Sequence, residues 1–347
     1  MCLSHSSRFI AFAACIALLT GCGSSRQWAP AATEVASPQA ASVVQSGTSG
    51  VSWMAKGLTS QDLLYVSNGN GTVNVYNYSD GSVVGVLTKF TQPQGMCSDR
   101  SGDVYITDFK ANKVYEYPHG GTKPSKSLKE SPYHPYACSV DPKTGDLAVA
   151  NYAQRFYDEG NIRIYSPGSN EPVTYTGTSD DHFTGCAYDT HDDLFILSDS
   201  FYYYYSSEYY PVFYYLPKRA TSFVKLDVPN PHYYSGWDYQ YVEGLAWDGK
   251  HWIVENDQYL DRFDINVDVT YVGATQLTGS YRGQGPLAFY QPTRKGKATQ
   301  VVGASSSFSG KSAVEYWDYP AGGDPTSTIT QDLDNPFGVA ISLGSGS

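Results

Sequence analysis

The sequence is poor in positive charge. Its 347 residues include 23 Lys and Arg against 34 Asp and Glu, which gives a formal net charge of −11 at pH 7. Proteins that bind nucleic acid use clustered Lys and Arg to neutralise phosphates. The composition therefore argues against a nucleic-acid partner.

Helical patterns and common catalytic motifs are also lacking. Beyond residue 60 no stretch carries apolar residues at helical spacing. No spacing typical of a zinc site occurs, and neither does a Ser-His-Asp pattern or a nucleophile elbow. Tyrosine, by contrast, is abundant, with 31 residues beside 14 Phe and 6 Trp. Because aromatic side chains favour strands and contact surfaces, the sequence predicts an all-β fold.

The N-terminus carries an export signal. A mostly apolar run over residues 9–19 follows Arg8 and ends at Thr20-Gly21-Cys22. A membrane-spanning helix needs about 20 apolar residues, so this run is too short to be one. It predicts a signal peptide over residues 1–21. The run fits either a lipoprotein signal peptide or an ordinary cleaved signal peptide in which Cys22 is incidental.

The ending Leu19-Thr20-Gly21-Cys22 resembles the lipobox of bacterial lipoproteins. That resemblance implies transfer of diacylglycerol to the Cys22 thiol, cleavage before Cys22 and acylation of the new amine. Several acyl chains anchor a protein stably where one does not. Gly23 stands where the family's inner-membrane retention signal would be Asp, so the resemblance favours the outer membrane. We expect an exported chain, lipid-anchored to the cell envelope on its periplasmic or surface face.

Three segments are predicted along the chain. Residues 1–21 form the signal peptide. Residues 22–60, rich in Ser, Ala, Gln, Pro and Gly, form a flexible tether behind the lipidated cysteine. Residues 61–347 form the folded domain.

A repeat fills that folded domain. Each copy has a first apolar strand centred on Gly or Ala, then a turn, a second apolar strand and a third. The first strands are residues 93–99, 135–141, 183–189, 242–248, 286–290 and 336–342. Their last positions recur at intervals of 42 to 59 residues, which is typical of propeller blades.

The repeat predicts a ring that closes on itself. Residues 62–90 lack a first strand, and the last first strand, residues 336–342, has no blade after it. We therefore expect the segment Phe337–Ile341 to pair with Leu64–Val66 and complete the first blade, which removes open sheet edges. The count is six blades. A seventh would have to lie within the long interval 189–248.

The pattern Pro-x-Gly-x-x-x-Asp, turn and apolar-Tyr-Val resembles the NHL-repeat group of propellers over residues 62–342. The resemblance implies a six-bladed all-β propeller. It is weak evidence for function, because this ring hosts lyases, lactonases and binding modules.

Two aromatic insertions mark one rim of the predicted ring. Residues 201–215 hold eight tyrosines, and residues 230–241 lead into the fifth blade. Tyrosine offers rigid contact area with a polar tip, which suits a glycan or peptide ligand. The alternative is that the insertions bury one another. The candidate ligand-binding residues are Tyr203, Tyr209, Tyr233, Trp237, Tyr241 and Glu243.

Two histidines at the predicted channel mouth are candidate metal ligands. His134 and His182 precede neighbouring first strands, and NHL-type lyases use His ligands in the channel, so both are candidate ligands of a divalent metal. The gluconolactonase-like propellers, more distant relatives, place acidic or Asn ligands immediately before the first-strand glycine. Only Glu243 matches that pattern, whereas Ca²⁺ needs six to eight oxygens. No cofactor is therefore expected.

Three cysteines remain in the predicted domain: Cys97, Cys138 and Cys186. Cys138 and Cys186 share a register on adjacent blades, which leaves a disulfide between them open. Small buried thiols in the first strands are the favoured interpretation.

Two functions remain open. The first is a membrane-tethered, non-catalytic binding or scaffold module that holds a glycan, protein or peptide at the Tyr-rich rim. The second is a metal-assisted hydrolase or lyase at the channel mouth, built from His134, His182 and Glu243.

Overall fold

In a computed structural model, the chain is described over ten stretches. These are residues 50–155, 158–177, 181–201, 209–229, 242–256, 258–265, 268–279, 286–291, 297–306 and 312–345. Within them the chain forms strands and turns, and no helix offers the length and apolarity that crossing a bilayer requires.

The strands form six antiparallel sheets that follow one another along the chain. Blade 1 contains β1 (Trp53–Met54), β2 (Leu63–Asn68), β3 (Val73–Asn77) and β4 (Val83–Leu87). Blade 2 contains β5 (Pro93–Ser98), β6 (Val104–Asp108), β7 (Lys113–Tyr117) and β8 (Lys126–Lys129). Blade 3 contains β9 (His134–Val140), β10 (Leu147–Tyr152), β11 (Asn161–Tyr165) and β12 (Val173–Thr176).

The second half of the ring repeats this plan. Blade 4 contains β13 (Asp181–Tyr188), β14 (Leu194–Phe201), β15 (Tyr209–Leu216) and β16 (Val224–Leu226). Blade 5 contains β17 (Val242–Trp247), β18 (Trp252–Asn256), β19 (Tyr259–Ile265) and β20 (Val269–Gln276). Blade 6 contains β21 (Ala288–Tyr290), β22 (Gln300–Ser306), β23 (Ser312–Asp318) and β24 (Ser327–Ile329). The final strand is β25 (Pro336–Ser342).

The predicted closure is confirmed. Strand β25 pairs with β2 in antiparallel register, with Leu64 opposite Ile341 and Val66 opposite Val339. Each first strand contacts the next one around the ring, in the order β25, β5, β9, β13, β17 and β21, and β21 contacts β25 again. The first strands therefore line the centre of a closed six-bladed propeller.

The hydrophobic core is divided among the six spaces between blades. Strand β2 shows why, because it is buried on both faces. Leu63 and Tyr65 pack in a cluster shared with blade 2, whereas Leu64 and Val66 pack in one shared with blade 6. Successive side chains of a strand point to opposite faces, so a blade between two neighbours needs apolar residues at consecutive positions. Four further clusters fill the remaining inter-blade spaces.

Glycine in the first strands permits the blades to approach closely. A Cβ added at Gly338 would lie 2.5 Å from the Gln94 carbonyl oxygen, and one added at Gly95 would lie 2.7 Å from that of Tyr136. Neither glycine has a positive φ. The requirement is therefore space between neighbouring backbones.

The expectation about the cysteines was wrong in part. Cys97 of β5 and Cys138 of β9 form a disulfide with a Cα–Cα distance of 5.7 Å, while Cys186 is a buried free thiol. Residues in the same register on adjacent blades, such as Cys138 and Cys186, point in the same direction around the ring. Cys97 lies one position further along its strand than Cys138 does, so it points to the opposite face and meets Cys138 between the blades.

The folded part begins earlier than residue 61. Strand β1 lies inside the range 22–60 that was assigned to the tether, yet it pairs with the outer edge of β4, with Trp53 opposite Val86. Gly85 leaves room for the Met54 side chain, because a Cβ there would lie within 3 Å of it. The boundary between tether and domain therefore lies before Trp53.

Candidate functional site

A β-bulge recurs near the start of the first strands. The pairing with the second strand skips Tyr136 in β9, Thr184 in β13 and Glu243 in β17. In β5 the irregularity covers Gln94 with Gly95, and in β25 it covers Phe337 with Gly338. We call the five positions that precede the Gly or Ala of the strand the bulge ring: Gln94, Tyr136, Thr184, Glu243 and Phe337. Bulges of this kind re-aim side chains away from the regular alternation of a strand.

Two members of the bulge ring, Tyr136 and Phe337, face the central channel. The rings of Tyr136 and Phe337 meet edge to face with centroids 5.4 Å apart, although they belong to blades 3 and 1. Blade 2 lies between those blades, so the two side chains can meet only on the channel side of it. Gln94, the bulge residue of blade 2, is 7% exposed.

Hydroxyl groups of the second strands fix the backbone of two bulges. The Ser67 hydroxyl donates to the Gln94 carbonyl oxygen over 2.8 Å and accepts from the Gly338 amide over 2.8 Å. The Thr107 hydroxyl donates to the Gly95 carbonyl oxygen over 2.8 Å. Because buried backbone groups need partners, these bonds hold the irregular backbone in one conformation.

Two buried polar atoms of the bulge ring lack a hydrogen-bond partner among the described residues. They are Oε1 of Gln94 and Oγ1 of Thr184. Thr184 is 5% exposed. A buried polar atom without a partner costs about 1–3 kcal/mol, so such atoms are rare unless a ligand or ordered water serves them.

Aromatic rings lie beside the bulge residues of blades 1 to 4 at the channel mouth. Phe109, which follows β6, stacks on His134 with centroids 4.6 Å apart. Tyr152, at the end of β10, stacks on His182 with centroids 4.1 Å apart. Tyr136 lies 6.2 Å from Phe109 and 6.4 Å from Tyr152 between ring centroids. The mouth is therefore an aromatic surface over blades 1 to 4.

The two candidate metal ligands each stack on a ring. His134 also forms a hydrogen bond of 3.0 Å between Nδ1 and the Phe109 carbonyl oxygen, which fixes its orientation. His182 is only 1% exposed. Within the part of the chain that the structure describes, no group of three His, Cys, Asp or Glu side chains is arranged to hold a metal ion. The metal site stays a prediction without a third ligand.

The structure describes only some of the remaining predicted site residues. Cys22, Tyr203, Tyr233, Trp237 and Tyr241 lie outside the described residues. Tyr209 begins β15 and Glu243 occupies the bulge of β17, and for both only the strand position is described.

The first aromatic insertion is shorter than expected. Residues 209–215 belong to β15, which pairs with β14 over its full length. Tyr214 is buried, and its hydroxyl donates to the Asp181 carboxylate over 2.8 Å. The Tyr215 hydroxyl donates to Asp193 over 2.8 Å. These two tyrosines belong to the blade, because aromatic residues suit a strand as well as a surface.

Sequence reasoning did not single out Phe109 and Tyr152, which complete the aromatic mouth. Phe109 directly follows the second strand of blade 2, and Tyr152 ends the second strand of blade 3. Each lies one position beyond a polar residue, Asp108 or Asn151. The Asp108 carboxylate accepts the amides of Thr91, Gln92 and Ala111, so it closes the turns on which the mouth is built. That repeated position is the signal that could have identified the two rings.

A separate acidic cavity of about 430 Å³ lies between blades 2 and 3. Its lining includes Asp99, Asp103 and Glu116. Burial raises the pKa of Asp99 and of Asp103 above the usual carboxyl range. None of the mouth residues lines it.

Comparisons with known proteins identify the fold and nothing finer. No family model matches the sequence, and no curated protein matches it. Among solved structures, a chain of a nidogen/laminin complex aligns with a TM-score of 0.58 and 11% identity, over 81% of this chain and 98% of that one. The Cps50 (Swd1) β-propeller domain of Myceliophteria thermophila aligns with a TM-score of 0.52 and 13% identity, over 86% and 91%.

The fold is a β-propeller. At these identities the likeness extends to architecture alone. A propeller is a general scaffold for binding or assembly, and it leaves the ligand to be argued from the site.

Proposed function

We propose that this chain is an exported lipoprotein whose propeller binds a glycan or peptide at the aromatic channel mouth and the Tyr-rich rim beside it. The propeller supplies a rigid ring, and its loops and first strands supply the contacts. The protein would act as a binding or scaffold module of the cell envelope.

One observation carries the binding proposal. The half-buried rings of Tyr136 and Phe337 meet on the channel side of blade 2, and the bulge residue of that blade, Gln94, has a side-chain oxygen without a partner among the described residues. Apolar faces beside a few convergent polar groups are the usual composition of a ligand site. The neighbouring stacks of Phe109 and Tyr152 extend that surface.

The anchoring proposal rests on the sequence. Leu19-Thr20-Gly21-Cys22 ends an apolar run at the position where a lipobox is expected. Lipid on Cys22 would tether the propeller to the envelope, and Gly23 favours the outer membrane. A tether over residues 23–52 would have an average reach on the order of 30 Å, which would set how far the propeller can lie from the lipid surface.

The comparisons support a protein ligand only by analogy. One structural neighbour was solved as a nidogen/laminin complex, so that propeller-like chain occurs in an assembly of proteins. Since the identity is 11%, the analogy supports including peptides among the ligands to be tested.

The test uses the full chain, solubilised in detergent, on arrays of glycans and peptides. We expect retained ligands, with binding lost in a Tyr136→Ala, Phe337→Ala double variant. The matched control is Tyr175→Ala, a half-buried tyrosine on the outermost strand of blade 3. A Tyr203→Ala, Tyr209→Ala, Trp237→Ala variant tests the rim separately.

Three results would contradict the proposal. One is a chain that retains no ligand on either array, and another is a double variant that binds as the parent does. The third is stoichiometric metal in the purified chain together with lactone or lyase turnover lost in His182→Ala, which would favour the hydrolase or lyase instead. Circular dichroism of each variant checks that the propeller is intact.

A further inference from the structure

We infer that a lysine patch on the mouth side of blade 2, where it adjoins blade 1, docks on the anionic lipid headgroups of the membrane. The lysine patch consists of Lys89, Lys110, Lys113 and Lys129. This inference rests on the proposed lipid anchor and names the surface that the propeller turns to the lipid. The whole chain has a net charge of −11, so a cluster of four lysines contrasts with its average charge.

Two lysines of the patch belong to turns that share one buried side chain. The Asp108 carboxylate accepts the Thr91 amide over 2.8 Å and the Ala111 amide over 3.2 Å. Lys89 and Lys110 lie in these two segments, and both are exposed. The turns on which the mouth is built therefore also place two lysines at the same end of blade 2.

The other two lysines face each other across two strands. Lys113 begins β7 and lies directly opposite Lys129, which ends the outermost strand, β8. Like charges in this position destabilise an antiparallel pair. Lys113 is also opposite Asp108 on β6, so the pair lies at the same end of the blade as the two turns. An anionic surface at this end would offset the repulsion.

The carboxylates near the patch do not neutralise it. Glu130 is fully buried and pairs with Arg163. Asp108 is buried and accepts backbone amides. Among the residues that the structure describes, no carboxylate forms an ion pair with a lysine of the patch. The exposed Asp158 and Glu159 line a cavity with the loop that follows Glu130, so the patch ends there.

The tether joins the propeller beside this patch. The Thr88 hydroxyl donates to the Gly50 carbonyl oxygen over 2.8 Å, and the Thr88 amide donates to the Ser52 hydroxyl over 3.0 Å. Lys89 is the next residue. The chain that leads from Cys22 therefore meets the fold next to the patch.

This position favours a lipid surface as the partner. An acidic protein would match the charge equally well, but the proposed anchor keeps the propeller within a distance on the order of 30 Å of the headgroups. At physiological salt, charges attract over about 8 Å, so the lysines act once the tether has brought the patch close. Each lysine near an anionic membrane surface favours association by a factor of about five.

The experiment places the full lipidated chain in vesicles of phosphatidylcholine alone or mixed with an equal part of phosphatidylglycerol. An amine-acetylating reagent and mass spectrometry then give the rate at which each lysine reacts. We expect the patch to react about fivefold more slowly on the anionic vesicles and to lose this protection in concentrated salt. Lys225, exposed on the outermost strand of blade 4, should react equally on both.

A charge-reversed variant tests the patch itself. In Lys113→Glu, Lys129→Glu the two remaining lysines of the patch should lose their protection on the anionic vesicles. The control Lys225→Glu, Lys250→Glu changes the net charge equally at two exposed positions and should leave the patch protected. Circular dichroism checks that both variants keep the fold.

The outcomes separate this inference from the anchor on which it rests. Equal reaction of the patch on both kinds of vesicle overturns the inference while the chain stays anchored. Protection that survives in Lys113→Glu, Lys129→Glu overturns it too, and the lysines would then serve only to keep the edge of blade 2 from pairing with other strands. A full chain that associates with neither kind of vesicle overturns both proposals.

Discussion

The ring of Phe337 contacts the ring of Tyr136 at an interplanar angle of 85°, across the channel side of an intervening blade. Phe337 lies on β25, the strand that closes the propeller, and Tyr136 lies on β9 of blade 3. The same C-terminal strand therefore completes both the fold and the proposed site.

A chain that ends at Asn335 lacks β25 and should lose its cooperative fold. The innermost position of blade 1 would be empty, and the apolar faces of β2 and β5 would meet water. Thermal melting followed by circular dichroism should show no sharp transition. The control ends at Ser345 and should melt as the full chain does. An unchanged melting curve for the shorter chain would refute the closure argument.

Alanine at two first-strand glycines should push neighbouring blades apart. Gly95→Ala and Gly338→Ala each bring a methyl group within 3 Å of backbone atoms, so we expect each to lower the free energy of unfolding by about 1–3 kcal/mol. Gly185→Ala is the matched control, because its nearest neighbours are side-chain atoms of Leu197 at 3.3 Å or more. Urea unfolding midpoints give the measurement. Equal midpoints for all three variants would show that the approach of the backbones is unimportant.

Reduction of the Cys97–Cys138 disulfide should destabilise the propeller. The bridge closes a loop with a sequence separation of 41, which corresponds to about 4 kcal/mol in the chain-entropy account. Urea unfolding of Cys97→Ser, Cys138→Ser against the parent, each with and without reductant, measures the effect. Reductant should shift the parent alone.

The third thiol should be unreactive while the chain is folded. Cys186 is buried, and burial raises its pKa to about 12, so the thiolate that reacts with disulfide reagents is almost absent at neutral pH. Labelling with a thiol reagent should require denaturant. Rapid labelling of the native chain would place Cys186 at the surface instead.

Alkaline pH should unfold the propeller between about pH 10 and pH 12. Burial raises the pKa of Tyr65, Tyr76 and Tyr117 to about 12 in the folded chain, against about 10 for a free phenol. Because the folded value is the higher one, the stabilisation is complete below pH 10 and is lost as the pH rises through 12. Absorbance near 295 nm follows phenolate formation, and circular dichroism follows the fold.

The two signals of that titration should coincide for the buried tyrosines. In urea the same chain should titrate near pH 10 throughout, because unfolded tyrosines are solvated. Complete ionisation of the native chain near pH 10 with an intact circular dichroism spectrum would contradict the assigned burial.

Replacement of Cys22 should release the chain from membranes. Cys22→Ala removes the only thiol to which the proposed diacylglycerol is attached, whereas Ser24→Ala leaves it in place. Phase separation in a cloud-point detergent should move the first variant to the aqueous phase and keep the second in the detergent phase. Equal partition of both would refute lipidation at Cys22.

The sequence contained enough to predict the ring. Strands that are apolar at alternating or at consecutive positions, separated by turn residues, recur at the spacing typical of propeller blades. The unmatched strands at residues 62–90 and 336–342 indicate how the ring closes. Strand β1 could not be predicted in the same way, because two residues in a Ser- and Gly-rich stretch carry no periodicity.

The candidate site was only half visible in the sequence. The bulge positions could be located from their register, but residue type alone showed only that Gln94 and Thr184 do not match the metal-ligand pattern. Their meaning depends on burial and on missing partners, which only the packed structure provides. The disulfide required knowledge of which face each cysteine occupies, and the tyrosines of β15 suit a strand as well as a loop.

Both ends of the described chain belong to blade 1. The Ser345 amide donates to the Thr59 carbonyl oxygen over 2.8 Å, and the Gly344 amide donates to Asp62 over 2.9 Å. In the sheet order β1-β4-β3-β2-β25, however, the first described strand is outermost and the last is innermost, so a peptide joining the two ends must span four inter-strand spacings, about 19 Å, and a new pair of termini could be opened in an exposed turn of another blade. Circular permutation should preserve every sheet while moving the point at which a lipid tether leaves the ring, so the direction in which the mouth faces the membrane becomes a property that can be engineered.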